Sequence, residues 1–382
     1  MSRQTYLGLR CNECQSYYED NRPLERCPKC GGLLDTVFDE VALAEYSKPR
    51  LDSATTSMWS FNMFLPTIQG FDPISAGEGA TPLRNLRSFP KNLWVKDETH
   101  NPTGCFKDRG ASVAVTRLSQ LKIRRLVLAS EGNAGCSFAL YSRMAGISCH
   151  VFLPRQANRS KVQLSGKLGA HVTQVPGTIA DAGRAVAKES ERTGDYNAST
   201  FVTPFRHDGK GTMALEICER LGWKAPDDVV YPVGGGVGLV GMWKMFKILH
   251  RIGWVNKKPR IVAVQPSGCA PIVDAYSHGR DEVEEWKKPR TIANGLKIPK
   301  PLAGKWILKS LRESKGIGLK VTDSQIRKAM GLAATRDGIV LEPSTAAALA
   351  AVPILYETKQ VDRRDTTVVI ATGSGLKTIE QM

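Results

Sequence analysis

At 382 residues, 42% of them hydrophobic, the chain has length for about two domains with sizeable cores. No apolar run reaches the ~18 residues of a membrane span, and the N-terminus lacks the apolar core of a secretory signal, so a cytoplasmic protein away from membranes is expected. The net charge of +16 would suit an anionic ligand, but the basic residues are scattered, with only short groups such as KIRRL at 122–126, which argues against a nucleic-acid stripe.

Taken in chain order, the first element is a zinc ribbon over 1–35. Cys11, Cys14, Cys27 and Cys30 follow the pattern C-x2-C-x12-C-x2-C, and each pair lies in a turn that aims two thiolates at one ion. Four thiolates leave no open position for catalysis, so the predicted Zn is structural and supplies much of the folding energy of a segment with almost no core of its own. The remaining cysteines, Cys105, Cys136, Cys149, Cys218 and Cys269, stand singly. An odd total in a cytosolic-looking chain argues against a disulfide framework.

From about Leu93 onward short apolar runs alternate with helical patterns: LVLAS at 126–130, SCHVFLP at 148–154, HVTQVPG at 171–177, VVYPVGGG at 229–236, RIVAVQP at 260–266 and TTVVIATGSG at 366–375. This alternation predicts parallel sheets covered by helices, an α/β fold. Ligands of such sheets sit at the carboxyl ends of strands, so chemistry is expected in the loops.

Four loops stand out. NPTGCFKDRG at 101–110 is a turn followed by a helix whose first turn bears Lys107. The positive end of a helix and partial desolvation favour the neutral amine, which is the nucleophilic form. SEGNAG at 130–135 lies between a strand and a helix; its Ser and Asn groups can bind a carboxylate or a phenolic oxygen, or simply cap the helix. In YPVGGGVGLVGMWK, at 231–244, glycines between strand and helix can cradle a phosphate, and neither a P-loop nor a dinucleotide fingerprint is present. ATGSGLK at 371–377 puts the Thr372 hydroxyl at a strand end. A lysine nucleophile, a phosphate cradle, a carboxylate loop and a strand-end hydroxyl together indicate pyridoxal phosphate.

With these motifs in hand the chain resembles the threonine synthase family of fold-type-II pyridoxal-phosphate enzymes. EGATPL at 78–83, NPTGCFKDRG, SEGNAG, GGGVGLVGMWK, VQPSGCAPI at 264–272, EPSTAA at 342–347 and TGSGLK stand in the family's order, and many members carry a four-cysteine ribbon. The resemblance implies a tryptophan-synthase-beta-like fold, with two open α/β subdomains around the cofactor and a mobile smaller one at about 111–205 inserted in a catalytic region of 36–382. It implies that Lys107 is the catalytic, cofactor-linking lysine, that Asn133 bonds the cofactor's 3′ oxygen, and that Thr372 faces the pyridine nitrogen. Gly234, Gly235, Gly236, Val237 and Gly238 would hold the cofactor phosphate, while Ser130, Glu131, Gly132, Ala134, Lys161 and Arg206 would contact the substrate. Arg109 is either a further cation for that substrate or a structural partner.

The implied reaction turns O-phosphohomoserine and water into threonine and phosphate, in a homodimer acting on an anionic amino acid. Four positions depart from the family pattern. Phe201 and Gly235 stand where many members place Ser and Asn toward the substrate phosphate, Cys105 replaces a Ser before the lysine, and Ser374 replaces a His. Other elimination or replacement enzymes, a threonine or serine ammonia-lyase or a cysteate synthase, are therefore the alternatives. A zinc-ribbon nucleic-acid binder on a degenerate enzyme fold is the alternative from another class.

Overall fold

The computed structural model describes residues 4–50, 57–68 and 70–381. The chain forms two compact units, one made of 1–79 and 107–212, the other of 80–106 and 213–382.

In the first unit the ribbon is a small antiparallel sheet with Tyr6–Cys11 between Tyr17–Tyr18 and Leu34–Phe38. Its apolar residues are not left to themselves. Leu9, Cys11, Leu24, Cys27 and Leu34 are buried in one core with Ala111, Val115, Leu118 and Phe138, so the ribbon gains the apolar burial that so short a segment lacks alone. Beside it lies a parallel sheet ordered His171–Val175, Ser148–Pro154, Arg125–Ala129, Tyr196–Asn197. Between these strands run the helices Asn133–Met144, Arg159–Lys167 and Ile179–Thr193. The last begins at a capping box of Thr178 and Asp181, where side chains satisfy otherwise orphaned N–H groups, and stops at Gly194 in the left-handed conformation.

In the second unit six strands are ordered Ile317–Val321, Arg260–Pro266, Asp228–Pro232, Thr367–Ala371, Leu93–Asp97, Leu83–Asn85. Only the last pairing is antiparallel. Asp228–Pro232 and Thr367–Ala371 are buried along their whole length, which is why they read as continuous apolar runs rather than alternating ones. Helix Pro343–Glu357, nearly all small and apolar, packs within the same core. The predicted strands at 126–130, 148–154, 171–177, 229–236, 260–266 and 366–375 are all present, with their glycine loops following the carboxyl ends.

Candidate active site

The predicted site residues fall into both units, and each group is described within its own unit.

In the first unit, Lys107 opens helix Lys107–Gln120 and Arg206 opens helix Arg206–Arg220. The first turns of these helices meet through glycines. A Cβ at Gly110 would collide with Lys210 Nζ and lie 2.5 Å from the Arg206 carbonyl oxygen, and one at Gly209 would collide with the Arg109 carbonyl oxygen. Only glycine permits that approach, and it fixes Lys107 and Arg206 at the heads of two interlocked helices. Arg109 is fully buried and donates to Thr212 Oγ1 at 2.8 Å, which ties the same pair together and supports the structural of its two readings.

The SEGNAG loop leads into helix Asn133–Met144, whose N-cap Gly132 sits at φ +130 and gives no side-chain cap. Ser130 Oγ accepts the N–H groups of Gly132 and Gly135, both at 2.9 Å, so this hydroxyl organises the loop. The Lys161 stem lies against Gly132, where a Cβ would approach it to 2.7 Å. Thus the substrate-side positions Ser130, Gly132 and Lys161 are in one place.

Arg206 is 1% exposed. Its Nη1 donates to the Ala198 carbonyl at 2.9 Å and its guanidinium lies 4.9 Å from the centre of the Phe138 ring, while Nε has no hydrogen-bond partner. Burial pushes its pKa down to about 9, which still leaves it cationic at neutral pH. The carboxylates that would have explained it structurally are engaged elsewhere. Asp208 accepts from Thr36 Oγ1 at 2.5 Å, and Glu216 pairs with Lys96 at 2.5 Å and takes the Ala80 N–H at 2.9 Å. Among the described residues Arg206 has no ion pair. A buried cation at the positive end of a helix, with an unfilled donor, is built for an anion.

Phe201 stands at φ +61, a conformation costly for a side chain with a Cβ, and its ring stacks on His207 at 6.5 Å. Its ring brings no hydrogen-bonding group to this position.

In the second unit, the glycine loop runs from Val233 into helix Val237–Arg251. Gly236, at φ +78, is its N-cap and offers no side chain. A Cβ at Gly234 would strike the Gly295 carbonyl oxygen at 2.5 Å, and Cβ atoms at Gly236 and Gly238 would collide with Ile307 Cδ1 and Tyr231 Oη. The Tyr231 hydroxyl is buried beside Gly238 with no hydrogen-bond partner among the described residues, and burial and then Glu98 push its pKa up, keeping it a proton donor. An uncapped helix N-terminus, a glycine loop pressed back against the protein and a spare donor fit a phosphate.

Thr372 follows strand Thr367–Ala371, and its Oγ1 lies 3.0 Å from Thr345 Oγ1 of the EPSTAA motif. Thr345 also takes the Gly373 N–H at 2.8 Å, so it holds the strand end in shape. The NPTGCF turn is stitched to the same loop. Cys105 pairs with Gly373, Ser374 donates its N–H to the Gly104 carbonyl at 2.8 Å, and Phe106 donates its N–H to the Thr372 carbonyl at 2.9 Å. Lys107 is the next residue in the chain.

The Sγ atoms of Cys11, Cys14, Cys27 and Cys30 all lie within 4.8 Å of one another, and all four cysteines are free. The separations of 3.5 Å for Cys11 and Cys30 and 3.6 Å for Cys14 and Cys27 approach the ~3.8 Å edge of a tetrahedron of sulfurs ~2.3 Å from a central Zn. The donor set fits that metal.

Some residues in these arrangements carried no sequence signal of their own. Tyr231 and Phe138 stand in apolar stretches, and the pair Asp35 and Thr36 is far in the chain from the pair His207 and Asp208; only the HD that directly follows Arg206 could have drawn notice.

Comparison with known proteins identifies a pyridoxal-phosphate-dependent lyase. The chain belongs to the pyridoxal-phosphate dependent enzyme family, which it matches over 74–373, and within it to the threonine synthases. It is 35% identical to the threonine synthase of Methanocaldococcus jannaschii over 96% of this chain and 92% of that protein. It is 32% identical to the threonine synthase of Methanosarcina acetivorans over 97% and 92%. Among solved structures, maize serine racemase superposes with a TM-score of 0.67 at 26% identity, covering 79% of this chain and 90% of that one. The threonine deaminase of T.th. gives 0.64 at 26% identity, covering 77% and 92%.

Proposed function

We propose that this enzyme is a threonine synthase, converting O-phosphohomoserine and water to threonine and phosphate, and the observation that carries the reading is Arg206. The fold is shared with racemases and deaminases, whose named substrates carry no phosphate; a buried, unpaired guanidinium is what a phosphorylated substrate needs in addition. The near full-length relationship to threonine synthases agrees.

The residues that would hold pyridoxal phosphate are Lys107, Asn133, Gly234, Gly235, Gly236, Val237, Gly238 and Thr372. Once bound, the cofactor supplies an electron sink for charge developing at the substrate's Cα and Cβ. Lys107 removes the α proton and then a Cβ proton as the γ-phosphate leaves. Its amine next returns a proton to Cγ, which becomes the methyl group, takes a proton from the water that adds as hydroxide at Cβ, and returns a proton to Cα. Arg206 orients the phosphate and takes up the charge of the departing group. Glu131 and Ala134 contribute to the loop around the substrate carboxylate. Zn at Cys11, Cys14, Cys27 and Cys30 is structural, the substrate is a small anionic amino acid, and the active form is a cytoplasmic homodimer.

The test is a pair of assays on Arg206→Met, which keeps an apolar stem and removes the fork. Use of O-phosphohomoserine is expected to fall roughly ten- to a hundredfold in kcat/KM, with a much smaller loss for serine, which has no phosphate. An equal loss on both substrates overturns the clamp and favours an ammonia-lyase.

A further inference from the structure

Asp35, His207 and Asp208 bring their side chains together within 4.8 Å, outside the residues assigned above. Asp35 and Thr36 belong to the ribbon strand Leu34–Phe38, whereas His207 and Asp208 are the second and third residues of the helix headed by Arg206. His207 Nε2 is 2.8 Å from Asp35 Oδ1 and 3.6 Å from Asp208 Oδ1, and Thr36 donates to Asp208 Oδ2 at 2.5 Å. The Asp35–His207 and Thr36–Asp208 contacts are hydrogen bonds, and the imidazole and the Asp208 carboxylate are buried, so the cluster is a bracket between two pieces of chain. The bracket joins the ribbon to the one turn of helix that carries the anion-seeking guanidinium. That turn is held on its other side by the glycine contact with the Lys107 helix, so its two faces are fixed by different elements.

We propose that Asp35 and Thr36 are positioning residues for the substrate phosphate, setting the Arg206 turn through His207 and Asp208, so that the ribbon tunes phosphate affinity while touching no ligand itself. The inference rests on the reading of Arg206 as the phosphate clamp. Because a guanidinium fork must meet phosphate oxygens within a few tenths of an ångström, a small rotation of this turn weakens binding without disturbing the cofactor. The signature is a rise in KM for the phosphorylated substrate with kcat retained.

The experiment measures binding of inorganic phosphate to the holoenzyme by calorimetry, together with kcat and KM for O-phosphohomoserine, in Thr36→Val, Thr36→Ser, Asp35→Asn and Arg206→Met. Thr36→Val preserves shape and deletes one hydrogen bond, so phosphate affinity should fall and KM rise roughly two- to tenfold, with kcat and cofactor absorbance unchanged. Thr36→Ser, which restores the hydroxyl, should restore both values, and Asp35→Asn should behave like Thr36→Val. If Arg206→Met loses phosphate while Thr36→Val and Asp35→Asn bind it as the parent does, the bracket is only structural and the inference is overturned. If Arg206→Met binds phosphate as the parent does, the clamp reading itself fails and takes the inference with it. Should Thr36→Val not fold, Thr36→Ser and Asp35→Asn decide the matter: parental affinity in Asp35→Asn overturns the inference.

Discussion

Arg206 carries a positive charge into a place where it meets one carbonyl and one aromatic face. Desolvating an ion costs several kcal/mol, and a cation–π contact returns about 2 kcal/mol at best, so this side chain is not there for stability. Arg206→Met should therefore keep or raise the thermal midpoint of the phosphate-free enzyme. Excess inorganic phosphate should stabilise the parent, by about 2.7 kcal/mol at a hundredfold excess over Kd, and do nothing for the variant. Differential scanning calorimetry with and without phosphate reads both effects; a variant far less stable than the parent would assign the guanidinium a structural duty. Lys107 makes its own prediction. Reduction of the holoenzyme with borohydride followed by peptide mass analysis should place the cofactor's mass on the peptide bearing Lys107, and its appearance on another lysine would reject the assignment.

At the level of elements, the glycine loop and the crossing of two helix heads are the sensitive features. Gly236→Ala combines a left-handed residue, at a cost of about 1 to 2 kcal/mol, with a Cβ driven into Ile307. It should lower cofactor retention, seen as faster loss of the cofactor's absorbance on dialysis. Gly110→Ala places a methyl where Lys210 and the Arg206 carbonyl already are, and overpacking of this kind costs about 1 to 3 kcal/mol. Denaturant unfolding should show that loss, together with weaker phosphate binding as the Arg206 turn is pushed away.

The buried parallel strands were legible because full burial leaves uninterrupted apolar runs, and the loops because glycine punctuates them. The helix head that bears Lys107 and the strand end before Thr372 could be located for the same reason. What one dimension did not mark were pairings between distant polar residues. Nothing in LDTVF announces that Asp35 and Thr36 meet His207 and Asp208, and the two carboxylates near Arg206 in sequence have other partners in space. The ribbon's shared core was hidden for a related reason, since its alternating strand reads the same whether it packs on itself or on a neighbour.

Considered whole, the first unit is braced by the ribbon at the helices headed by Lys107 and Arg206. Besides the bracket at 207 and 208, Arg117 of the Lys107 helix donates through Nε to Asp20 at 2.6 Å, and Tyr6 donates to the same carboxylate at 2.7 Å. If the four cysteines hold a metal, as proposed, removing it should therefore do more than unfold a small appendage. Chelation is expected to lower the unfolding midpoint of this unit and to speed amide hydrogen exchange in 107–120 and 206–212, while the six-stranded sheet keeps its protection. Unchanged exchange in those helices after verified loss of the metal would separate the ribbon from the site.

The seam between the NPTGCF turn and the loop after Thr372 carries a consequence for how the enzyme is made. Lys377 reaches the Thr103 carbonyl across 274 residues of chain, and strand Leu93–Asp97 finds its parallel neighbour only in Thr367–Ala371. On the ribosome, the turn leading into Lys107 must wait for almost all of the intervening polypeptide before its partners exist, and pairings so distant are slow to form. The turn that leads into Lys107 thus gains its final setting among the last events of synthesis. Nascent chains stalled before Thr367 should be cut readily by protease near residues 93–106, and those extended past Lys377 should resist.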